Sequence, residues 1–590
     1  MTQPRTTGIG SIPLDGRTAF RVWAPHAEAV SVTGTFNDWS EDAHALEAED
    51  GGYWYGEVEG AGPGDEYKYV ITTDGRRFHR VDPRARAVTS SVGNGIIYDR
   101  DAFDWQDDSF ATPNHNELVI YETHIGSFVA EEGDPGDITT MASRLGYLQS
   151  LGVNAIELMP VAEFAGDYSW GYNPAHPFAV ESNYGGPDLL KAFVREAHRH
   201  GLAVILDVVL NHFGPSDLSL WQFDGTSEGD KGGIYFYQDE RSHTPWGETR
   251  PDYGREEVRQ YCYDNALMWI EEYRMDGLRF DATLYIRTVS GVGTDIPEGW
   301  ALMRDINTAI RRDLPSKILI AEDLQNDPML TSLDGAAFNA QWDAAYVHAV
   351  RALVTTPDDS ARSMESLAGA LRTEGDPWDR VIYTESHDEV ANGKLRVAHE
   401  IDGDNPSGWP AQKRATLAMA ITLTSPGIPM LFQGQEFLED EWFRDTVPLD
   451  WDKAEQFRDI VRLARDLIAL RRNATGTTAG LTGSHTWLLH VDDQAKTIAW
   501  ARGLDTDRGM DTVAIVVNAS TEPHDVTIGL PHAGRWSVRF NSDASTYSAL
   551  FGGHTTRHVD AVPTPVHDQS ASATVSVGPY TLVVLSPEPA

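Results

Sequence analysis

Apolar and polar positions alternate with a period of two in the first part of the chain, which is typical of strands exposed on one face. Such runs occupy Thr18–Trp23, Val30–Thr35 and Tyr67–Thr72. Turn-forming sequences, such as Gly-Pro-Gly at 62–64, separate them. The pattern predicts a small antiparallel β-sandwich over residues 1–112.

From about residue 113 the pattern changes to short continuous apolar runs that alternate with amphipathic stretches, such as Met141–Ser150 and Leu189–His200. Strands that alternate with helices in this way are predicted to be parallel and joined by crossover helices. Eight runs qualify, of which the sixth is the weakest: Leu118–Tyr121, Ala155–Met159, Ala203–Leu210, Gly277–Phe280, Ile318–Ala321, Ala340–Trp342, Val381–Thr384 and Pro429–Phe432. Eight is the number of strands that a closed barrel needs.

The last part of the chain is again strand-like, most clearly at Thr497–Ala501, Thr512–Val517 and Tyr580–Leu585. The predicted fold class is therefore α/β. A (β/α)8 TIM barrel at 113–475, with a long loop at 213–256, is flanked by β-sandwich domains at 1–112 and 476–590.

Charge narrows the set of partners. The 590 residues include 89 Asp and Glu against 47 Lys and Arg, a formal net charge of −42. Such a surface repels phosphate backbones and anionic membranes, so neither nucleic acid nor a membrane is predicted as a partner. A neutral substrate such as a sugar is compatible with it. The oligomeric state is not predicted.

Signal and membrane segments and the number of cysteines indicate the cellular location. Met1–Gly10 lacks the apolar core of a secretory signal, and no stretch approaches the roughly 20 apolar residues of a membrane span. The single cysteine, Cys262, excludes a disulfide within the chain. A cytoplasmic protein is predicted.

Ionisable side chains follow four of the apolar runs, at the end of a parallel barrel where active sites lie. They form four short groups, which are Asp207 with Asn211-His212, Arg279 with Asp281, Glu322-Asp323, and His387-Asp388. Charges at such buried positions are costly unless they are paired or used.

Two of these carboxylates suit acid and nucleophile chemistry. Arg279 and Asp281 are two positions apart and point to one face of a strand, where the guanidinium favours an ionised carboxylate. Glu322 follows an apolar strand, which tends to raise the pKa of a general acid. Taken singly, each is more often structural than catalytic. Together, on adjacent strands, they match the pair, about 5–5.5 Å apart, that retaining glycoside cleavage requires.

This ordered set resembles the four short signatures of the α-amylase family, in order and in spacing. Gly34–Trp39 also resembles the N-terminal β-sandwich of glycogen-branching and related enzymes. The resemblance implies a retaining enzyme that acts on α-glucans or maltooligosaccharides. It implies Asp281 as the nucleophile, Glu322 as the general acid and base, and Asp388 as the group that stabilises the distorted sugar ring.

The resemblance also implies substrate-binding residues. Arg279 orients the nucleophile, His212 and His387 hydrogen-bond the sugar, and Tyr172 stacks beneath it. Asp207 and Asn211 are expected to be structural supports. The residue equivalent to Asn211 binds calcium in many amylases, but no calcium loop of alternating acids is visible. No metal and no other cofactor is predicted.

Two subgroups of the family compete. His387–Val390, Gly393-Lys394 and Gly434–Phe437 resemble glycogen branching enzymes. Three other segments resemble maltooligosyltrehalose trehalohydrolases, namely Glu157–Phe164, Asn211–Pro215 and Ala337–Asp343. The chain departs from both patterns in its signatures. Transfer of the cleaved chain to a sugar 6-hydroxyl is favoured, and hydrolysis of the α-amylase or trehalohydrolase type is the alternative.

The loop at 213–256 bears on this choice, since water access and acceptor contacts are loop features. It is rich in aromatic residues, which are Trp221, Phe223, Tyr235, Phe236, Tyr237 and Trp246. Either they bind an extended glucan, or they pack on one another in a lid.

Three functions outside this enzyme class are disfavoured by the sequence. A catalytically inactive carbohydrate-binding barrel is disfavoured because all three carboxylates are present. A structural partner of a transporter would need a membrane anchor. A metal-dependent hydrolase would need clustered histidines at strand ends, whereas His124, His212 and His387 lie on separate strands.

Overall fold

The N-terminal part forms two antiparallel sheets in the computed structural model, which describes residues 7–373, 375–507, 509–554 and 556–588. The strands are β1 (Gly10–Leu14), β2 (Arg17–Trp23), β3 (Ala29–Gly34), β4 (Glu47–Ala48), β5 (Tyr53–Glu59), β6 (Glu66–Thr73), β7 (Arg76–Arg80), β8 (Ala87–Val88) and β9 (Gly95–Ile96). One sheet has the order β1-β2-β5-β4 and the other β3-β6-β9-β8, with β7 paired to β6. Between them Phe20 packs on Tyr67 and Tyr69, with ring centroids 5.2 and 6.4 Å away. The predicted sandwich is confirmed.

The middle of the chain forms a closed barrel of parallel strands in the order β10-β11-β14-β15-β16-β17-β18-β19. The strands of this region are β10 (Ile120–Thr123), β11 (Ala155–Leu158), β12 (Ala162–Phe164), β13 (Pro174–Val180), β14 (Ala203–Val208), β15 (Gly277–Phe280), β16 (Ile318–Ala321), β17 (Ala340–Trp342), β18 (Arg380–Ile382) and β19 (Ile428–Phe432). The barrel closes where Ile120 pairs with Met430. The predicted barrel is confirmed, including its weakest strand; β12 and β13 form a separate hairpin.

Helices connect and surround these strands. Those of the described residues are α1 (Ile125–Phe128), α2 (Ile138–Ala142), α3 (Leu145–Leu151), α4 (Gly186–Arg199), α5 (Glu256–Glu271), α6 (Thr283–Arg287), α7 (Pro297–Asp313), α8 (Ala344–Thr355), α9 (Met364–Leu371), α10 (Val397–Ile401), α11 (Trp409–Thr424), α12 (Asp452–Gln456) and α13 (Arg458–Arg471). In α4 the apolar side chains Leu190, Phe193, Val194 and Ala197 share the buried face, which is the spacing of a helix packed on a core. Over the described ranges, no helix combines the length and apolarity needed to cross a membrane.

Some predicted boundaries differ from the observed ones. The run predicted as a strand to Leu210 pairs only as far as Val208, opposite Phe280, because the neighbouring strand ends there. The amphipathic stretch Met141–Ser150 is divided between α2 and α3, since the chain leaves helical geometry at Arg144. These shifts leave the strand order unchanged.

The C-terminal part is again built of antiparallel strands, as predicted. They are β20 (His485–Asp492), β21 (Thr497–Thr506), β22 (Gly509–Asn518), β23 (His524–Leu530), β24 (Gly534–Asn541), β25 (His558–Ala561), β26 (Ala571–Val577) and β27 (Thr581–Pro587). Six form one sheet, in the order β20-β21-β22-β27-β24-β25, and β23 pairs with β26. Val516 and Val583 of the large sheet share a core with Ile528 and Val575 of the pair.

The loop between β14 and α5 folds as a lid over one side of the barrel mouth. Most of its aromatic side chains are buried, since Phe223, Tyr235, Phe236 and Tyr237 expose at most 4% of their surface. Tyr235 packs against Trp23 of the N-terminal sheet, with centroids 5.5 Å apart. The loop therefore packs mainly on itself and its neighbours. Trp246 differs, because 39% of it is exposed.

Candidate active site

The predicted catalytic carboxylates leave adjacent strands at the same level. Asp207 of β14 lies opposite Arg279 of β15, and Phe280 lies opposite Ala321 of β16. Asp281 and Glu322 are the next residues of their strands, and the Glu322 amide donates to the Phe280 carbonyl over 3.0 Å. The fold thus brings both carboxyl groups to one edge of the barrel mouth.

The buried guanidinium of Arg279 joins three carboxyl groups. Its Nη1 donates to Oδ1 of Asp281 over 3.0 Å and to Oδ2 of Asp207 over 2.6 Å. Its Nη2 lies 3.6 Å from Oε2 of Glu322. The guanidinium stacks on Trp342, with its central carbon 4.3 Å from the ring centroid. Since one planar group contacts both, Asp281 and Glu322 are close neighbours, as retaining chemistry requires.

Asp281 accepts hydrogen bonds from two side chains. Asn211 Nδ2 donates to its Oδ2 over 2.8 Å, so each carboxylate oxygen receives a hydrogen bond from a different side chain. Burial raises the pKa of Asp281 above its ordinary value, while Arg279 and Asn211 act to lower it. These two donors therefore favour the ionised form, which is the form that a nucleophile needs, against the effect of burial.

Glu322 has a raised pKa, as the predicted role of proton donor requires. Burial is the main cause and Asp281 adds to it, while Arg279 opposes it, and together they raise the pKa of Glu322 to about 8. Its Oε2 accepts from the Ala282 amide over 2.6 Å. Ala282 adopts left-handed backbone angles, φ 42° and ψ 50°, which cost energy for a residue with a Cβ. This strained residue follows Asp281 directly, so its amide ties the two carboxyl groups together.

His387 is held by a carboxylate from the first barrel strand. Its Nδ1 shares a short hydrogen bond with Oε1 of Glu122, and its amide donates to Oε2 of Glu122 over 3.2 Å. Its Nε2 lies 3.5 Å from Oδ2 of Asp388. Burial lowers the pKa of His387, but Asp388 and Glu122 outweigh it and raise that pKa to about 9. The imidazole is therefore charged at neutral pH.

Asp388 is the most exposed of the three predicted catalytic carboxylates. Its side chain is 48% exposed, against 12% for Asp281 and 6% for Glu322. A carboxylate with that much free surface is available to sugar hydroxyls from the solvent side.

Tyr172 also reaches the site. Its hydroxyl donates to Oδ2 of Asp207 over 2.5 Å, and its ring stacks on His387, with centroids 5.1 Å apart and 23° between planes. One ring face is thus taken by His387, so stacking beneath a sugar has to use the opposite face.

His212 lies beneath Trp246 of the lid loop. Its side chain is completely buried, and its ring lies under Trp246, with centroids 4.6 Å apart and 12° between planes. Its Nδ1 contacts Oδ1 of Asn211 at 2.5 Å. Burial lowers its pKa to about 3, so the ring is neutral. The half-exposed indole of Trp246 thus covers one face of the His212 ring.

Asn211 does not fit a calcium ligand here. An asparagine binds calcium through its carbonyl oxygen. That oxygen faces the ring of His212, while Nδ2 donates to the carboxylate and the backbone oxygen of Asp281. One end of the amide therefore supports Asp281 and the other end contacts His212.

Sequence reasoning missed two interior carboxylates. Glu122 of β10 lies opposite Glu157 of β11, and both are buried. Burial raises the pKa of Glu157 well above its ordinary value, with Glu122 and Asp207 adding to the shift. The available signal was a single acid within an apolar run.

Solved structures share this architecture. A putative α-amylase from Salmonella typhimurium superposes with a TM-score of 0.75 at 24% identity, covering 99% of this chain and 100% of the other. A pullulanase from Anoxybacillus sp. LM18-11, complexed with maltotetraose, gives 0.77 at 23% identity, over 99% and 88%. At these identities the likeness shows the fold.

Sequence relatives match over nearly the whole length. The 1,4-alpha-glucan branching enzyme GlgB of Salinibacter ruber is 31% identical, over 98% of this chain and 96% of the relative. That of Marinobacter nauticus is 30% identical, over 97% and 94%.

Three family models match in succession. The model "Carbohydrate-binding module 48 (Isoamylase N-terminal domain)" matches residues 8–85, and "Alpha amylase, C-terminal all-beta domain" matches 487–588. Between them, "Alpha amylase, catalytic domain" matches 97–251 and 219–512. With this match over more than half of its length and a barrel closed around the strand-end acids, the chain belongs to the α-amylase family.

Proposed function

We propose that this chain is a 1,4-α-glucan branching enzyme, which cleaves an α-1,4 bond with retention and transfers the released chain to a sugar 6-hydroxyl. The observation that carries the proposal is that Asp281 and Glu322 both lie beside the guanidinium of Arg279. Asp281 accepts a close hydrogen bond from that guanidinium, whereas Glu322 accepts one from the Ala282 amide. Relatives that carry the branching name over almost the full length support the choice of acceptor.

In the first step, Asp281 attacks the anomeric carbon of the bound glucan. The bond to the leaving oxygen breaks as Glu322 gives that oxygen its proton, and a β-glycosyl-enzyme forms. A pKa of about 8 keeps Glu322 protonated at neutral pH, as this step requires.

In the second step, the Glu322 carboxylate removes a proton from the acceptor hydroxyl. The acceptor oxygen displaces Asp281 from the anomeric carbon, and two inversions give net retention. When a 6-hydroxyl is the acceptor a branch forms, whereas water would complete a hydrolysis.

Of the remaining predicted residues, Asp388, His387, His212 and Tyr172 bind the sugar, and Arg279 orients Asp281. Asp388 accepts hydrogen bonds from its hydroxyl groups, and the His387 imidazolium donates to it from a position fixed by Glu122. Arg279 and Tyr172 both donate hydrogen bonds to Oδ2 of Asp207, which fixes their positions at the base of the site.

The same proposal covers substrate and location. The substrate is a neutral α-glucan or maltooligosaccharide, which the net charge of −42 does not repel. A cytoplasmic location is supported by the single, buried Cys262. We also propose the domain limits at 112–113 and 475–476.

The test uses purified protein and linear amylose. Branching should lower the iodine absorbance of amylose while the number of reducing ends stays nearly constant. Asp281→Asn serves as the inactive control. A rise in reducing ends that keeps pace with the loss of iodine absorbance would establish hydrolysis and overturn the proposal.

A further inference from the structure

A large cavity lies between the N-terminal sheets and the outside of the barrel. Its volume is about 690 Å³, within the roughly 300–1,000 Å³ of typical ligand sites. It is bounded by the first strand, by the segment at 84–105 and by the second half of α5 with the residues that follow it.

This cavity is separate from the catalytic site. Helix α5 begins after the lid loop at the catalytic end of the barrel and leads back to the start of β15. Met268 and Glu272, which line the cavity, lie at the end of this return. They are therefore near the N-terminal ends of the barrel strands, away from Asp281.

Half-buried aromatic rings line the cavity, namely Tyr98, Phe103 and Trp105. Each ring is fixed by a cation near it: Lys191 at 5.0 Å from Tyr98, Arg195 at 5.1 Å from Phe103 and Arg274 at 4.5 Å from Trp105. Phe103 and Trp105 also meet edge to face, with centroids 5.1 Å apart. Rings held in this way form a preorganised surface for a flat, apolar ligand face.

The charges around the cavity compensate one another. Four arginines and five carboxylates line it. Arg84 Nη1 pairs with Asp264 Oδ2 at 2.6 Å, and Arg86 Nε pairs with Glu272 Oε2 at 3.0 Å. Paired in this way, the arginines leave little net attraction for an anion, while both partners keep further hydrogen-bonding capacity. The chemistry suits a neutral ligand that has apolar faces and many hydroxyl groups.

We propose that this cavity is a second, non-catalytic binding site for an α-glucan chain. Sugar rings stack on Tyr98, Phe103 and Trp105, and their hydroxyl groups bond the Arg84–Asp264 and Arg86–Glu272 pairs. The choice of a glucan as ligand rests on the proposed function. A long chain held here has a raised effective concentration near the enzyme, so long substrates gain affinity that short ones do not.

The experiment is a calorimetric titration of maltoheptaose into Asp281→Asn protein, which does not consume the ligand. Two binding events are expected, one at the catalytic site and one at the cavity. Trp105→Ala in the same background should lose one event, and Phe103→Ala is the second variant should Trp105→Ala fail to fold. Trp378→Ala is the matched control, because this half-buried tryptophan also lies under an arginine, Arg471 at 4.9 Å, but does not line the cavity.

Kinetics give an independent readout. With Asp281 intact, Trp105→Ala should raise the KM for amylose about tenfold with little change in kcat, a size that the loss of one aromatic contact allows. Retention of both events in Trp105→Ala, or a single event in the Asp281→Asn protein, would overturn the second site and leave the proposed function standing. Absence of any binding in Asp281→Asn would overturn both.

Discussion

The carboxyl groups of Asp281 and Glu322 at the barrel mouth differ in the hydrogen-bond donors that they accept from. Burial raises the pKa of both Asp281 and Glu322. Asp281 receives close donors on both oxygens, from Arg279 and Asn211, whereas Glu322 receives one amide and lies 3.6 Å from Arg279. This difference fits the proposed roles of Asp281 as nucleophile and Glu322 as acid, because paired catalytic carboxyl groups need environments that separate their pKa values.

The first prediction concerns the acid. Activity needs protonated Glu322, so kcat/KM should fall as pH rises through about 8. Glu322→Gln should lose roughly 10²–10⁴-fold of the activity on maltooligosaccharides, together with this alkaline limb. α-Glucosyl fluoride needs no protonation of its leaving group, so the variant should still form the glycosyl-enzyme from it at a near-normal rate. An unchanged alkaline limb in Glu322→Gln would contradict the assignment.

The second prediction concerns Glu122 as a positioning residue. Glu122 and Asp388 raise the pKa of His387 to about 9, so Glu122→Gln should lower that pKa, which an NMR titration of the imidazole measures. The KM for maltooligosaccharides should rise more than kcat falls, because the proposed role of His387 is to bind the sugar. Glu122→Asp keeps the charge, so the pKa of His387 should stay close to its native value in that variant. An unchanged pKa of His387 in Glu122→Gln would contradict this role.

The same shift affects stability. The folded-state pKa of His387 lies above the unfolded value of about 6.5, so its contribution is fully present below pH 6.5 and is lost as pH rises through about 9. Thermal unfolding of Glu122→Gln should therefore depend less on pH across this window than that of the native chain.

Secondary-structure elements were predictable where local pattern decides them. All eight barrel strands follow from apolar runs, since strands buried on both faces read as continuous hydrophobic segments. The strand-end acids follow from the same runs. Contacts between distant segments were not predictable: Glu122 meets His387 across 265 positions, and Trp246 lies on His212 only through the path of the lid loop.

The third prediction concerns this lid. Trp246→Ala should expose His212 and raise its pKa from about 3 towards the ordinary value, because burial is the main cause of the shift. Water should also gain access to the glycosyl-enzyme, so the ratio of reducing ends to branches should rise severalfold. Trp246→Phe, which keeps a ring over His212, is the control. An unchanged ratio in Trp246→Ala would show that the lid does not exclude water.

At the scale of the whole molecule, the barrel and the C-terminal sheet are joined by a buried ion pair. Lys413 of α11 donates from Nζ to Oδ1 of Asp543 over 2.7 Å, and also to the Thr581 hydroxyl over 3.1 Å. Burial lowers the pKa of Lys413, and Asp543 opposes the shift. A pair this deeply buried is costly to break from one side.

The fourth prediction follows from this contact. Lys413→Met removes the cationic partner of the buried Asp543, so the free energy of unfolding should fall by about 3–5 kcal/mol in denaturant titrations. The double variant Lys413→Met, Asp543→Asn should recover part of the loss, because it removes the buried carboxylate but keeps an acceptor for the amides of Gly552 and His554. A loss below about 1 kcal/mol in the single variant would contradict a structural role for the pair.

The fate of the cleaved chain distinguishes transfer from hydrolysis, and proton NMR of amylose after incubation with the protein reveals it. We expect new α-1,6 anomeric signals, a matching loss of α-1,4 signal and almost no new reducing-end signal. Loss of the α-1,4 signal with released short sugars and no α-1,6 signal would contradict branching and establish hydrolysis at the same catalytic pair.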